Sequence, residues 1–181
     1  MNLMTMDMQE LIIANNGKLD GMNFSGKNLS GLNLERASFQ NADFRDANLS
    51  KTNLRHANLT GADLYKANLE DADLTKVIAR NARFYGACLK GAILVRTDFC
   101  DADLSLSYLI SANMLGADFT RAILLGAKVS DVDLQESCSI SSTILPTGDR
   151  SSGKTKAHWN IWNPLDSAGL SEKPQEVEKR R

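Results

Sequence analysis

Leucine or phenylalanine recurs at every fifth residue over most of this chain. From Ala37 to Thr75 the sequence reads ASFQN ADFRD ANLSK TNLRH ANLTG ADLYK ANLED ADLT, one five-residue phrase stated eight times. Its first position is small, its second Asn, Asp or Ser, its third Leu or Phe, and its fourth and fifth are variable and polar. A period of five suits neither a helix at 3.6 residues nor a simple alternating strand. The first and third positions are two residues apart, so both point to one side of an extended segment. The last two then break the alternation, and the chain turns a corner there. Four corners close a coil of twenty residues, and coils stacked at the strand spacing of roughly 4.8 Å make a rod on the order of 30 Å long.

The central position can be followed by fives from Leu19 to Leu134, 24 consecutive units, before it fades through Ser139 and Ile144. Central phenylalanines fall at 24, 44 and 84 on one side and at 39, 99 and 119 on the adjacent one, with none on the other two. Segregation of bulky rings to two adjacent sides is what a narrow four-sided bore favours. Small residues at the first position fit the same bore.

These units resemble the A-(N/D)-(L/F)-x-x motif of the pentapeptide-repeat family, most closely its Ala-rich, Leu-centred cyanobacterial members. The resemblance implies an all-β solenoid, a right-handed quadrilateral β-helix with one pentapeptide per side. Residues 17–145 would form the helix. Residues 1–16 lie outside the register, and Met4, Met8, Leu11 and Ile12 share one helical face after a possible N-cap at Thr5. That reads as a short N-terminal capping helix, because a solenoid end otherwise exposes strand edges and an apolar bore. Residues 146–181 read as a tail, partly disordered, with a docking segment around 158–165.

Two parts of the rod depart from the motif. In the first coil Met22, Lys27 and Leu32 occupy the inward small position, so either that corner opens to solvent or the coil is distorted. In the fourth coil Ile78, Arg83, Cys88 and Ile93 replace Asn or Asp at the second position on all four sides, while Val77 and Ala79 exchange large for small inside.

Stacking by twenty predicts the outer columns. Arg36, His56, Lys76 and Arg96 share one corner and form a basic stripe, whose mutual repulsion is relieved by an acidic partner. Tyr65 and Tyr85 stack on the second side beside Asp43, Asp63, Arg83 and Asp103. Arg36, His56, Lys76, Arg96, Tyr65 and Tyr85 are the candidate partner-binding residues, with a plain solvated surface as the alternative reading. Leu106, Tyr108, Ile110, Ile123 and Leu125 give the last coils an apolar outer edge. That edge is the expected docking or dimer surface for Trp159, Ile161 and Trp162 of the tail.

The 21 basic and 22 acidic residues leave a net charge of −1, which argues against a nucleic-acid binder. Cys88, Cys100 and Cys138 have no ligand spacing and are expected as isolated thiols. No apolar run approaches a membrane span of ~18 residues, and the N-terminus has no basic region of a signal peptide. A cytoplasmic protein without membrane contact is expected. Gly148 to Thr155 satisfies the G-x-x-x-x-G-K-T phosphate-loop pattern, but no buried strand precedes it and Pro164 limits a helix after it, so a flexible linker is the better reading. No nucleophile, carboxylate pair or metal-ligand set is evident. The expectation is therefore a non-enzyme without cofactor or metal, a scaffold for another protein and a possible homodimer. The rival that the resemblance implies is a DNA mimic protecting gyrase or topoisomerase from inhibitors, which calls for a strongly acidic rod.

Overall fold

The structure is a computed structural model that describes residue 10, residues 15–129 and residues 139–148. Of the expected capping helix over 1–16, Glu10, which is helical, and Asn15 and Asn16, which form a turn, fall among them; the rest of residues 1–14 and the tail beyond Gly148 lie outside the described residues.

The chain returns on itself every twenty residues. Each second-position residue makes a single parallel bridge to the one twenty positions on, from Lys18–Ser38 to Tyr108–Lys128. Coils 1 to 5 therefore run 17–36, 37–56, 57–76, 77–96 and 97–116, and coil 6 begins at 117. In each, the first to fourth sides are successive pentapeptides.

One pentapeptide accounts for nearly every backbone donor. In the unit 62–66, the Ala62 N–H donates to Leu59 O at 2.9 Å and closes the preceding corner. The Asp63 N–H reaches down to Ala42 O at 2.9 Å, while those of Leu64 and Lys66 reach up to Arg83 O at 2.7 Å and Tyr85 O at 2.9 Å. The fourth-position N–H, that of Tyr65, has no main-chain acceptor. It donates instead to Asp63 Oδ1 at 3.0 Å. The same bond recurs at Asn48, Asn58, Asn68, Asp98, Asp103 and Asp118. That is the physical reason for Asn or Asp at the second position: its side chain satisfies the one donor that coil stacking leaves over.

Every fifth-position residue from Gly21 to Gly126 is left-handed, with φ between +53° and +70°. Such a residue at the third place of a four-residue turn marks the type II pattern. Gly, Asn and Asp adopt it at little cost, but Arg36, His56, Lys76, Arg96 and Leu106 occupy it too.

The interior is filled by the third-position ladder, from Leu19 to Leu124 no more than 3% exposed, with alanines beside it. Rings on the same side stack, Phe24 on Phe44 at 5.0 Å and Phe99 on Phe119 at 5.1 Å, and rings on adjacent sides meet edge-on, as in Phe84–Phe99. Val77 and Ala79 are both buried, so their exchange is neutral for the core. Threonines at the first position are buried with partners: the Thr97 and Thr143 hydroxyls donate to Leu74 O and Phe119 O, across the corner one storey down. In the first coil the backbone stays regular at Lys27, whose N–H keeps its bond to Phe24 O, and its side chain is exposed. That corner opens to solvent.

The register differs at the C-terminal end. Asp118 bridges Ser139 and Ile123 bridges Ile144, a separation of twenty-one, so one extra residue enters after Val129. Ser139 and Ile144 consequently occupy the second position, and Ile140 and Leu145 are the buried centres. Counting by strict fives had placed the centres one residue early. The coil also continues past Ser141: Thr143 is buried at the first position, and Gly126 N–H donates to Pro146 O. Pro146 to Gly148 complete a corner.

Candidate interaction surface

With the bore filled, variation at the surface falls mainly to the second, fourth and fifth positions, which face outward. The basic stripe lies where stacking places it. Arg36, His56, Lys76 and Arg96 project from the corner between the fourth and first sides, all exposed and all left-handed. Arg36 meets Glu35 at 3.6 Å. No described carboxylate pairs with Lys76 or Arg96. Those nearby are engaged elsewhere: Asp73 by Arg55 at 3.1 Å, and Asp98 by Arg80 at 2.5 Å. Burial opposes ionisation of Asp73, but hydrogen bonds from Thr75 and Arg55 outweigh it and hold the carboxyl below its ordinary value.

Beside this corner stand three of the most exposed large apolar side chains. Ile78, two residues past Lys76, is 44% exposed; Ile93 is 39% and Leu115 59% exposed on the fourth side. Lys76 N–H bonds Val95 O and Arg96 N–H bonds Leu115 O, so those fourth-side residues run alongside the two cations. The repeat pattern already places Ile93, Val95 and Leu115 together on one side and Ile78 on the next. Their convergence on one corner becomes visible only when neighbouring sides are read together.

On the second side the Tyr65 and Tyr85 rings stack at 5.7 Å, 14° from parallel. The Arg83 guanidinium lies 4.7 Å from the Tyr65 ring centre and 3.4 Å from Asp63, and the Lys66 ammonium is 5.1 Å from the same ring. Asp43 is closed by Arg45, whose hydrogen bond holds the Asp43 carboxyl below the usual range. The charges of this side are thus largely satisfied within it.

The residues of the expected apolar edge are exposed to differing degrees. Leu106, Tyr108 and Leu125 are exposed, Ile110 and Ile123 half-buried, and Lys128 covers the Tyr108 ring at 4.9 Å. Trp159, Ile161 and Trp162 lie outside the described residues, as does the phosphate-loop-like stretch after Gly148.

One grouping escapes a search for Cys and His spacing. Stacking by twenty brings Asp118 to Asp98 and Cys100, with ligand atoms within 4.8 Å of one another. Burial, then hydrogen bonds with Asp98 and Asp118, push the Cys100 thiol up to about 12. A thiol donating between two carboxylates, one of them already held by Arg80, is a closed arrangement. It explains a buried cysteine at an outward position without a ligand.

No curated protein matches the chain. Among solved structures, it aligns with the pentapeptide repeat protein Rfr23 of a Cyanothece cyanobacterium at 24% identity and TM-score 0.52, covering 69% of this chain and 97% of that one. Trypsin-treated QnrB1, a plasmid-mediated fluoroquinolone resistance protein, aligns at 22% identity and TM-score 0.43, covering 66% and 78%. HetL of Nostoc, a protein involved in regulation of heterocyst differentiation, aligns at 20% identity and TM-score 0.28, covering 81% and 100%. The family model for pentapeptide repeats matches in eight copies over residues 18–51, 42–78, 80–111 and 102–138. The chain belongs to the pentapeptide repeat family, whose fold is the right-handed quadrilateral β-helix.

Proposed function

We propose that this chain is a non-catalytic scaffold that binds another protein through the side of its β-helix, acting in the cytoplasm. The observation that carries the reading is the division of labour within the pentapeptide. First and third positions are consumed by the core, and outward variation collects into surface columns, among them a basic corner that has surplus charge. Rigid repeat surfaces of this kind suit protein recognition.

The rival reading, gyrase protection by DNA mimicry, requires carboxylates spaced along the rod to replace phosphates. Here the acids Asp43, Asp73, Asp98 and Asp101 are each paired with an arginine. The surplus charge at the corner is positive, which favours the scaffold.

Affinity capture with the tagged full chain tests the proposal, run beside the Lys76→Glu/Arg96→Glu variant. A retained protein that the variant loses is the expected result. Capture of nothing by either form, together with protection of gyrase supercoiling against ciprofloxacin, would favour the rival.

A further inference from the structure

Coil 4 replaces its second-position Asn or Asp on every side, which leaves the fourth-position N–H groups of all four sides without their usual acceptor, and two of the replacements also expose a large apolar side chain. Ile78 and Ile93 stand where a side-chain oxygen otherwise accepts the fourth-position N–H. The N–H groups of Arg80 and Val95 accordingly have no acceptor among the described residues. Each isoleucine also leaves apolar surface in water, and neither fills the core, because the second position points outward. An Asn at either place would supply a hydrogen bond and remove the exposed surface.

Lys76 and Arg96 flank these residues and are costly in their own right. Both are left-handed, at φ 58° and 56°, where glycine is at ease. They stack one coil apart, roughly 5 Å, with no acid between them. Arg55 and Arg80 hold Asp73 and Asp98. Asp101 and Asp118, the remaining carboxylates on the first side of this region, are taken as well: Asp101 by Arg121, and Asp118 by the Thr120 N–H and the Cys100 thiol.

We infer that this corner, with Lys76 and Arg96 at its crest and Ile78, Ile93 and Leu115 on its slopes, is the docking site for an acidic polypeptide segment carrying aliphatic anchors. The inference deepens the scaffold reading and rests on it. The surplus charge selects carboxylates, and the exposed isoleucines and leucine select aliphatic side chains. The open Val95 N–H can take a main-chain carbonyl of an extended segment. A nucleic-acid backbone answers the charge and leaves the apolar slopes uncovered. Combined charge and apolar contact is what gives an interface both orientation and lasting contact.

The choice of variants follows from the local chemistry. Ile78→Asn/Ile93→Asn restores the family's own hydrogen bonds, so it removes the anchors while preserving or raising the melting temperature. The full chain, this variant and Lys76→Glu/Arg96→Glu are titrated by fluorescence anisotropy with three labelled probes: a copolymer of glutamate and leucine, polyglutamate, and a DNA duplex. The copolymer should bind the native chain best, and each double variant should weaken it by about tenfold or more. Salt should weaken the native complex but not the charge-reversed one. Equal binding of copolymer and polyglutamate, preference for the duplex, unchanged binding by the Asn variant, or self-association of the chain through this corner would each overturn the inference. Capture of a protein partner that the Asn variant retains in full would leave the scaffold standing and this site refuted.

Discussion

Leu106 lies directly beneath Gly126, its Cδ2 2.7 Å from where a β-carbon on that glycine would stand. Both residues are corner residues, with φ of 57° and 67°. Glycine is at ease in this conformation where an L side chain is strained, and a β-carbon there would also have to turn aside the tip of the exposed leucine beneath it. Gly126→Ala should destabilise the rod by more than about 1 kcal/mol, whereas Leu106→Gly should stabilise it by up to about 1 kcal/mol, since a left-handed leucine is strained. Urea denaturation of the two variants decides this, and shifts of the same sign would contradict the corner geometry.

The interior should be intolerant one residue away from where the surface is permissive. Leu59 is fully buried and Thr60 half-exposed. Leu59→Asp brings an unpaired carboxylate into the bore at a cost of several kcal/mol and should unfold the rod. Thr60→Asp should change stability by less than about 0.5 kcal/mol. Circular dichroism melts compare them directly.

Much of this was legible in the sequence because one side-chain rule is repeated so often. The twenty-residue coil, the inward Leu/Phe ladder and the paired phenylalanine columns follow from Phe24, Phe39, Phe44 and their counterparts alone. Two things were not. Left-handed corners are occupied by Arg, Lys, His and Leu as well as by Gly and Asn, so residue type hides the backbone there. The extra residue after Val129 was also hidden, because Ser139 at the counted centre reads as the repeat fading rather than slipping, until Ile140 and Leu145 are seen to be buried. At the surface, single columns were readable, but the gathering of Ile78, Ile93 and Leu115 around Lys76 and Arg96 joins different sides of the coil.

Cys100 should mark the alkaline limit. Its thiol is ordinarily near 9.0 and is raised to about 12 in the fold by burial and by Asp98 and Asp118. Deprotonation therefore favours the unfolded chain. The stabilisation is fully present below pH 9.0 and is lost as pH rises toward about 12. The stability difference between the native chain and Cys100→Ala should shrink across that window. Alkylation of Cys100 at pH 8 should also be slower than that of a free cysteine.

At the acid end the sign reverses. Asp43, Asp73, Asp101 and Asp118 all have carboxyls held below their ordinary value of 3.8. Their contribution is complete above that value and fades as pH falls through the lowered ones. The melting temperature should be flat from about pH 5 to 8 and fall below pH 3.8. Arg121→Gln, which frees Asp101, should reduce that fall.

Docking of Trp159, Ile161 and Trp162, which lie outside the described residues, on the edge of Leu106, Tyr108 and Leu125 is an expectation from the sequence. The last described residue, Gly148, is beside that edge, 3.6 Å from Leu125 Cδ1 to the position of a β-carbon. Docking predicts blue-shifted tryptophan emission that resists acrylamide, and Leu125→Asp should shift it to the red. Water-like emission in the native chain at every concentration would remove that expectation.

The extra residue after Val129 also bears on how such a rod can lengthen. Between Ala37 and Lys128 the lattice is in phase at every twenty residues, so a tandem duplication of any twenty-residue block inserts a finished storey and leaves both flanks in step. A twenty-residue block copied across the extra residue falls one short of the twenty-one that separate Asp118 from Ser139, and shifts everything above it by one position. There only a block of twenty-one leaves the central leucines inside, so the length of block that can be copied changes where the phase breaks.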